Sequence, residues 1–173
     1  MMHILDTERL RLRTLVLGDA ALYLKVVNVA AFIEYIGDRG IRTVDAARKA
    51  IADGPVAMQE TLGHSLYLVE RKEDGAAIGM CGLIKRETLA DVDLGYAYLP
   101  QFGGKGYATE AAAGVLAYAR GLGIRRLLAI TSPGNAASNA VLKKIGMRFD
   151  EVVHLTPQDP GTLLYSYDFT SIG

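Results

Sequence analysis

The chain has 173 residues, of which 50% are hydrophobic, and its 19 basic residues balance its 19 acidic ones. This size predicts a single globular domain over residues 1–173, because the chain can bury one sizeable core but is short for two. The balanced charge argues against a nucleic acid or a membrane surface as partner. One cysteine, Cys81, excludes an intramolecular disulfide, and three dispersed histidines predict no metal site. We therefore expect a cytoplasmic protein.

The N-terminal third combines one alternating segment with two apolar ones. Residues 7–13 alternate polar and apolar side chains, which predicts a strand whose arginines share one solvated face. The start of the chain lacks the basic segment, followed by a continuously apolar one, that is typical of a signal peptide. Residues 20–33 predict a buried helix that is too short to span a bilayer. Residues 44–62 predict a second helix, which Gly54-Pro55 should end or kink near Asp53.

The middle of the chain predicts three consecutive strands. Residues 65–71 and 76–86 are predicted strands, and the Asp-Gly pair between them is a strong hairpin signal. A third strand is predicted at 91–99, which gives a β-meander. Gly95 lies inside that strand, where a bulge or a close backbone approach is expected.

The C-terminal half alternates helices and strands before it ends in a hairpin. An alanine-rich stripe predicts a helix from Tyr107 to about Gly121, and residues 124–131 predict a buried strand. A second helix is predicted at 135–147. Residues 149–156 and 162–169 predict two final antiparallel strands. The whole pattern indicates a mixed α/β domain.

A glycine-rich turn joins the strand at 91–99 to the helix that starts near Tyr107. Three glycines within four positions let the backbone adopt positive φ and approach a ligand closely. The first turn of a helix also presents N–H groups without intrahelical acceptors, at the positive end of the helix dipole. Lys105 is the only charged residue between Gln101 and Ala108. These features predict a site for a phosphate-bearing ligand.

Two common nucleotide motifs do not fit this turn. A P-loop requires Ser or Thr after the lysine, where this chain has Gly106, and a dinucleotide fingerprint requires a third glycine where it has Thr109. A glycine turn before a helix can also be a tight connection that binds nothing. The pattern that fits is Gln-x-x-Gly-x-Gly, which runs from Gln101 to Gly106.

That pattern resembles the pyrophosphate-binding signature of the GNAT acetyltransferases, whose acyl donor is acetyl-CoA. Residues 135–147 look like the family's Asn-x-x-Ser-x-x-Val-Leu-x-Lys-x-Gly-Phe segment, with Met147 in place of the last aromatic residue. The resemblance spans about residues 7 to 170. It implies the GNAT acyl-CoA acyltransferase fold, an α/β (α+β) domain with a mixed, mostly antiparallel sheet of about six to seven strands and about four helices. It implies no metal.

Two segments are similar to one branch of that family, the ribosomal-protein N-terminal (alanine/serine) acetyltransferases. These segments are residues 7–13 and residues 78–83. The resemblance implies direct attack of a primary amine on acetyl-CoA in a ternary complex, with a protein N-terminal α-amine as the favoured acceptor. A small amine such as a polyamine, amino acid or antibiotic is an alternative acceptor. A non-catalytic acyl-CoA-binding module is an alternative of another class. Dimerisation is frequent in this branch, so a homodimer is a further implication.

The resemblance also implies which residues contact the coenzyme. In the family the pantetheine arm lies between two parted strands, and backbone N–H groups there face the thioester oxygen. Tyr98 and Leu99 are the candidates for these contacts. Asn135 is a candidate amide ligand or, alternatively, a helix cap. The pyrophosphate site is predicted at Gln101, Phe102, Gly103, Gly104, Lys105, Gly106, Tyr107 and Ala108.

Two side chains are candidates for proton transfer. Asp93 stands where the family often has a glutamate, so it is a candidate general base for the amine, or a solvated strand carboxylate. Ser138 occupies the hydroxyl position of the second helix, so it is a candidate acid for the departing thiolate, or a capping residue. Many members of the family use a tyrosine four residues before the closing glycine. Here that position is Leu142, so this tyrosine mechanism is excluded.

Overall fold

The structure is a computed structural model that describes residues 1–171. Its centre is an eight-stranded sheet with the order β1-β2-β3-β4-β5-β6-β8-β7. Neighbouring strands are antiparallel except for β5 and β6, which run parallel. The strands are β1 (His3–Asp6), β2 (Leu10–Thr14), β3 (Leu66–Arg71), β4 (Ala77–Ile84), β5 (Asp93–Tyr98), β6 (Arg126–Thr131), β7 (Arg148–Val153) and β8 (Thr162–Asp168).

Helices cover both faces of this sheet. Two apolar clusters define the layers, one between the sheet and α5 and α6, and the other between the sheet and the helices that precede β3. Because side chains alternate along a strand, successive residues of β5 belong to different layers: Leu94 lies with α5 and Ala97 with α1. The helices are α1 (Ala20–Val27), α2 (Ala30–Tyr35), α3 (Val44–Ile51), α4 (Ala57–Leu62), α5 (Tyr107–Gly121) and α6 (Ala136–Lys144).

The predicted fold class is confirmed, with more strands than the sequence suggested. Residues 7–13 were expected to form the opening strand, but in the structure strand β2 begins only at Leu10, and a further strand, β1, precedes it across a turn that starts at Thr7. The predicted β-meander is confirmed as β3, β4 and β5, and its Asp-Gly turn contains Gly75 at φ +71°. The final antiparallel pair is confirmed as β7 and β8.

Two predicted helices are each divided. The helix expected at 20–33 is interrupted at Asn28, whose side-chain amide donates to the carbonyls of Leu24 and Ile41, each at 2.8 Å. The regular helix predicted at 44–62 is interrupted near Asp53, as expected, because α3 ends at Ile51. A π-helical turn, Ala52–Val56, holds the proline and connects α3 to α4, because a wider turn accommodates a residue without an N–H donor.

Gly95 forms no bulge, and the atoms that approach it closely belong to a side chain and not to a backbone. The β4–β5 register is continuous from Gly79↔Tyr98 to Ile84↔Asp93. A Cβ atom at Gly95 would lie 2.8 Å from Cδ1 of Ile84, so a larger residue would displace that side chain. Across residues 1–171, no helix is both long and apolar enough to cross a membrane.

Candidate active site

The sheet opens between β5 and β6. These parallel strands share one register pair, Asp93↔Leu128, and the Leu128 amide donates to the Val92 carbonyl at 2.9 Å. On its other side β5 remains paired with β4 as far as Tyr98. The C-terminal half of β5 therefore has one edge that pairs with no strand in the described part of the chain. An extended ligand could lie in this split and use that edge.

The orientation of the backbone in β5 decides which amide faces the split. The Leu99 amide donates to the Ile78 carbonyl of β4 at 3.0 Å. Because the backbone groups of successive residues in a strand point to opposite sides, the amide of Tyr98 points toward the split. Of the two expected oxyanion donors, Tyr98 has the suitable direction, whereas the Leu99 amide is already used inside the sheet.

The split leads to the glycine turn at the start of α5. Gly104 has φ +74° and Gly106, which precedes the first helical residue, has φ +82°. Both values lie in the left-handed region that favours glycine. In residues 1–171 the amides of residues 104–109 donate to no protein atom, whereas the Glu110 amide already donates to the Gly106 carbonyl. Six consecutive donors are thus available at the positive end of a helix of 15 residues.

The predicted loop residues lie together around this turn. Gln101 and residues 103–106 are exposed, and Phe102 is half-buried in the 3-10 turn Pro100–Phe102. Lys105 forms no ion pair with any described residue, so its charge is available to a ligand. Tyr107 is buried under the guanidinium of Arg9, with 4.5 Å between Cζ and the ring centroid. Ala108 follows it in the first helical turn.

Residues before β2 form part of this site, which the sequence did not indicate. The three arginines at positions 9, 11 and 13 do not share one solvated face as expected. Arg9 reaches the glycine turn and Glu110, and Arg13 pairs with Asp19 at 2.9 Å and is largely buried. Only Arg11 remains mostly exposed. No local sequence signal reveals the Arg9 contacts, because they join segments about 100 residues apart.

The N-terminus of α6 lies on the other side of the split. Oδ1 of Asn135 accepts from the Ser138 amide at 3.2 Å, which is a helix cap. Nδ2 of Asn135 donates to no described residue and remains available to a ligand. Ser138 does not use its hydroxyl as a cap. Its Oγ lies 2.8 Å from the hydroxyl of Tyr96, a residue of β5.

Tyr96 is therefore a further candidate of the site. Burial raises the pKa of its phenol to about 12, although the hydrogen bond with Ser138 acts in the opposite direction. The phenol consequently keeps its proton at neutral pH. Leu142, at the family's tyrosine position, is buried in the core below α6. Sequence reasoning passed over Tyr96 because an aromatic strand residue is most often a core residue.

Asp93 is buried at the start of β5 and forms an ion pair. Its side chain is 1% exposed, and its two oxygens each accept from the guanidinium of Arg86 at 3.1 Å. It is thus no solvated carboxylate. Burial raises the pKa of Asp93, although Arg86 and Lys85 act against that change. A raised pKa suits a general base, but the two bonds to Arg86 occupy both oxygens. Its role as base stays a prediction.

The pH dependence of stability tests this environment. A carboxyl whose pKa is raised in the native state binds protons more readily there than in the unfolded chain, so it makes the free energy of unfolding fall as pH rises above its ordinary pKa of about 3.9. Asp93→Asn removes this fall. In denaturant titrations between pH 4 and 7, the free energy of unfolding of the variant should therefore increase relative to that of the parent protein as pH rises. The opposite trend would mean that Arg86 outweighs burial.

Substitution of Arg86 also breaks its ion pair with Asp93 and gives a second test of this environment. Arg86→Gln leaves a buried charge without its partner and should lower the free energy of unfolding at pH 7 by about 1 to 3 kcal/mol. The value is below that of a fully buried pair because Arg86 is 33% exposed. Arg126→Gln is the control, since Arg126 pairs with Asp150 at 3.0 Å in a more exposed position.

The hydrogen-bond donors of the site suit the chemical groups of acetyl-CoA. The free amides and Lys105 suit a diphosphate, and the unpaired edge of β5 suits an extended amide chain. In residues 1–171, no cluster of three or more His, Cys, Asp or Glu side chains could hold a metal ion.

Comparison with known proteins agrees with this geometry. The family model described as "Acetyltransferase (GNAT) domain" matches residues 9–148. The chain is 28% identical over 166 residues to the uncharacterized N-acetyltransferase YoaA of Bacillus subtilis (strain 168), covering 94% of this chain and 92% of that protein. It is 35% identical over 96 residues to the uncharacterized protein YkkB of the same organism, and that match covers 53% of this chain and about half, 55%, of YkkB.

A solved structure shows the same fold. It is RimL, a ribosomal L7/L12 alpha-N-protein acetyltransferase in complex with coenzyme A, with a TM-score of 0.81, 19% identity, and coverage of 96% of this chain and 97% of that one. The matched family domain spans most of the chain, and its fold is the one described above. The chain belongs to the GNAT acetyltransferase family.

Proposed function

We propose that this acetyltransferase transfers the acetyl group of acetyl-CoA to a primary amine, and that the acceptor is the α-amine of a protein N-terminus. The observation that carries the proposal is the combination of a split sheet at β5 and β6 with six amides at the adjoining helix that donate to no atom of residues 1–171. The split between β5 and β6 binds the extended arm of the coenzyme, and the amides bind its diphosphate. The coenzyme supplies an activated acyl thioester.

Three groups of this chain act at the split under this proposal. The Tyr98 amide donates to an oxygen atom there, and a preorganised donor of this kind stabilises developing negative charge. Nδ2 of Asn135 binds an amide oxygen of the coenzyme arm. As the C–N bond forms and the C–S bond breaks, the Ser138 hydroxyl, which Tyr96 holds at 2.8 Å, passes a proton to the leaving sulfur and receives in turn the proton that the amine loses. Each group lies on β5 or at the start of α6.

The state of Asp93 favours an α-amine as acceptor. An alkylammonium with a pKa near 10.4 needs about 4 to 5 kcal/mol to lose its proton at pH 7, whereas an α-ammonium with a pKa near 8 needs only about 1 kcal/mol. Asp93, the expected base, has both oxygens bound by Arg86. A site with so constrained a base suits the acceptor that requires the least help.

The surface opposite α5 also suits a peptide. The end of α2 contacts the loop after β6, where the Ser132 hydroxyl donates to the Tyr35 carbonyl at 3.2 Å. Ile33 and Ile36 beside it are exposed, which offers apolar contacts to residues that follow an N-terminus. RimL, which has the same fold, is an acetyltransferase of a protein α-amine.

Release of coenzyme thiol with a panel of acceptors tests the proposal. We expect turnover with peptides that begin with free Ser or Ala, and none with the same peptides N-acetylated and containing an internal lysine. The rate should rise with pH through an apparent pKa near 8, the value of the α-amine. Spermidine, a free amino acid and an aminoglycoside form the comparison set.

Two results would contradict the proposal. Turnover confined to the small amines would reject the protein N-terminus as acceptor. Coenzyme binding without turnover on any acceptor would indicate a binding module in place of the proposed reaction. Intact mass measurement of the peptide product locates the acetyl group and separates α-amine from lysine modification.

A further inference from the structure

The turn between β1 and β2 is joined to the glycine turn at the start of α5. Arg9 makes most of this connection. Its Nε donates to Oε1 of Glu110 at 2.7 Å, and its backbone amide donates to Oε2 at 2.8 Å. Its Nη1 donates to the Lys105 carbonyl at 2.9 Å. The Thr7 hydroxyl donates to Oε2 of Glu110 as well.

The contact with the Lys105 carbonyl orients the N–H of Gly106, which is predicted to bind the coenzyme. The carbonyl of Lys105 and the N–H of Gly106 belong to one planar trans peptide unit, so they point in opposite directions. Because Arg9 holds the carbonyl, the Gly106 N–H points away from Arg9, toward the exposed side of the turn. Without Arg9 this peptide could rotate, since glycine at Gly106 permits several backbone conformations.

The contact with Glu110 removes an unfavourable charge. Glu110 lies in the first turn of α5, close to the amides that would receive a diphosphate. Burial raises the pKa of Glu110, but the bonds from Thr7 and Arg9 outweigh burial, and the pKa lies below its ordinary value. Glu110 is therefore an anion at neutral pH. Its charge is compensated by Arg9, which leaves Lys105 to attract the ligand.

We propose that Arg9 is a positioning residue for the diphosphate of the coenzyme. It directs the Gly106 amide outward and neutralises Glu110, so that the turn has its binding conformation before the coenzyme arrives. This inference rests on the proposed coenzyme site. It assigns a binding function to a segment that lies outside the glycine turn and about 100 residues before it.

Arg9→Gln tests the proposal when its activity is measured with two acyl donors, one that contains the diphosphate and one that lacks it. The variant should lower kcat/KM for acetyl-CoA by roughly tenfold to a hundredfold, the effect of losing charge-assisted hydrogen bonds. It should leave kcat/KM for S-acetylpantetheine, which lacks the diphosphate, unchanged. A merely structural role would lower both values. Equal losses for both donors, or no loss for acetyl-CoA, would overturn the proposal.

Arg9→Lys separates geometry from charge. Lysine keeps the positive charge but cannot donate to Glu110 and Lys105 in the same fixed plane. We expect it to bind coenzyme A nearly as weakly as Arg9→Gln, as measured by calorimetry. Full affinity in Arg9→Lys would overturn the orienting role. The control is Arg11→Gln, because Arg11 is 54% exposed and pairs only with Asp6, at 3.3 Å.

Binding of coenzyme A by the parent protein separates the proposed coenzyme site from the proposed role of Arg9. If it fails to bind coenzyme A, the proposed coenzyme site itself is wrong. If it binds coenzyme A and Arg9→Gln binds equally well, only the role of Arg9 is rejected.

Discussion

Gly106→Val should weaken the binding of coenzyme A by about tenfold to a hundredfold. Gly106 has φ +82°, and a left-handed conformation costs other residues about 1 to 2 kcal/mol, with β-branched residues the least tolerant. A Cβ there would also lie 3.3 Å from Nη2 of Arg9. The turn must then change its conformation, which moves the amides that bind the diphosphate. Calorimetry with coenzyme A measures the loss.

A glycine at the other end of α5 provides a matched control. Gly123 has φ +83°, and a Cβ there would meet nothing within 4 Å. Gly123→Val introduces comparable backbone strain far from the glycine turn, so it should lower the melting temperature and leave the affinity for coenzyme A unchanged. Equal affinity losses in both variants would indicate general destabilisation, and the loss in Gly106→Val would then not reveal a role of the glycine turn in binding.

Ser138→Ala should lower kcat by about a hundredfold and change KM for acetyl-CoA little. General acid catalysis typically contributes 10² to 10⁴, and the lower limit applies because a thiol with a pKa near 8.5 is already a tolerable leaving group. Tyr96→Phe should lower kcat by about tenfold, since it leaves the Ser138 hydroxyl in place without the partner that fixes it at 2.8 Å.

The double variant and a second tyrosine complete this test. If Tyr96 acts through Ser138, combining the two substitutions should cost little more than Ser138→Ala alone, because the residues work as one unit. Tyr165→Phe is the control, as its hydroxyl also bonds to α6, to Oδ1 of Asn139 at 2.6 Å. A loss in Tyr165→Phe as large as in Tyr96→Phe, or fully additive effects, would reject the pairing.

Elements with strong local chemistry were predictable from the sequence. Alternation, apolar stripes and the Asp-Gly pair identified the meander and the major helices, because these signals depend on neighbouring residues. The glycine turn was predictable for the same reason, since both the positive φ values and the free amides follow from Gly104, Gly106 and the helix start.

Errors arose where distant contacts override local pattern. Asn28 ends α1 through its bond to Ile41, a residue the helix pattern does not include. The alternation at 7–13 concealed a turn in which the Thr7 amide donates to the Leu10 carbonyl at 2.9 Å, and which Glu110 also contacts through the Thr7 hydroxyl. Residues 172 and 173, part of the predicted single domain, lie outside the described residues.

The candidate site shows the same division. The position of the coenzyme turn depends on sequence motifs, but the state of its side chains depends on tertiary partners. Asp93 is a candidate that the sequence motif suggests, whereas its pairing with Arg86 could not be predicted, as nothing in the sequence relates the two. The bond between Tyr96 and Ser138 joins residues 42 positions apart and required the folded chain.

The most direct test of the account is a titration of the isotopically labelled protein with coenzyme A, followed by the backbone amide resonances. The account predicts saturable binding, with the largest shifts at residues 104–108 and at Tyr98, which faces the split. Lys105→Gln should weaken binding but keep that pattern. Absence of binding, or binding that leaves the resonances of residues 104–108 unchanged, would contradict the account.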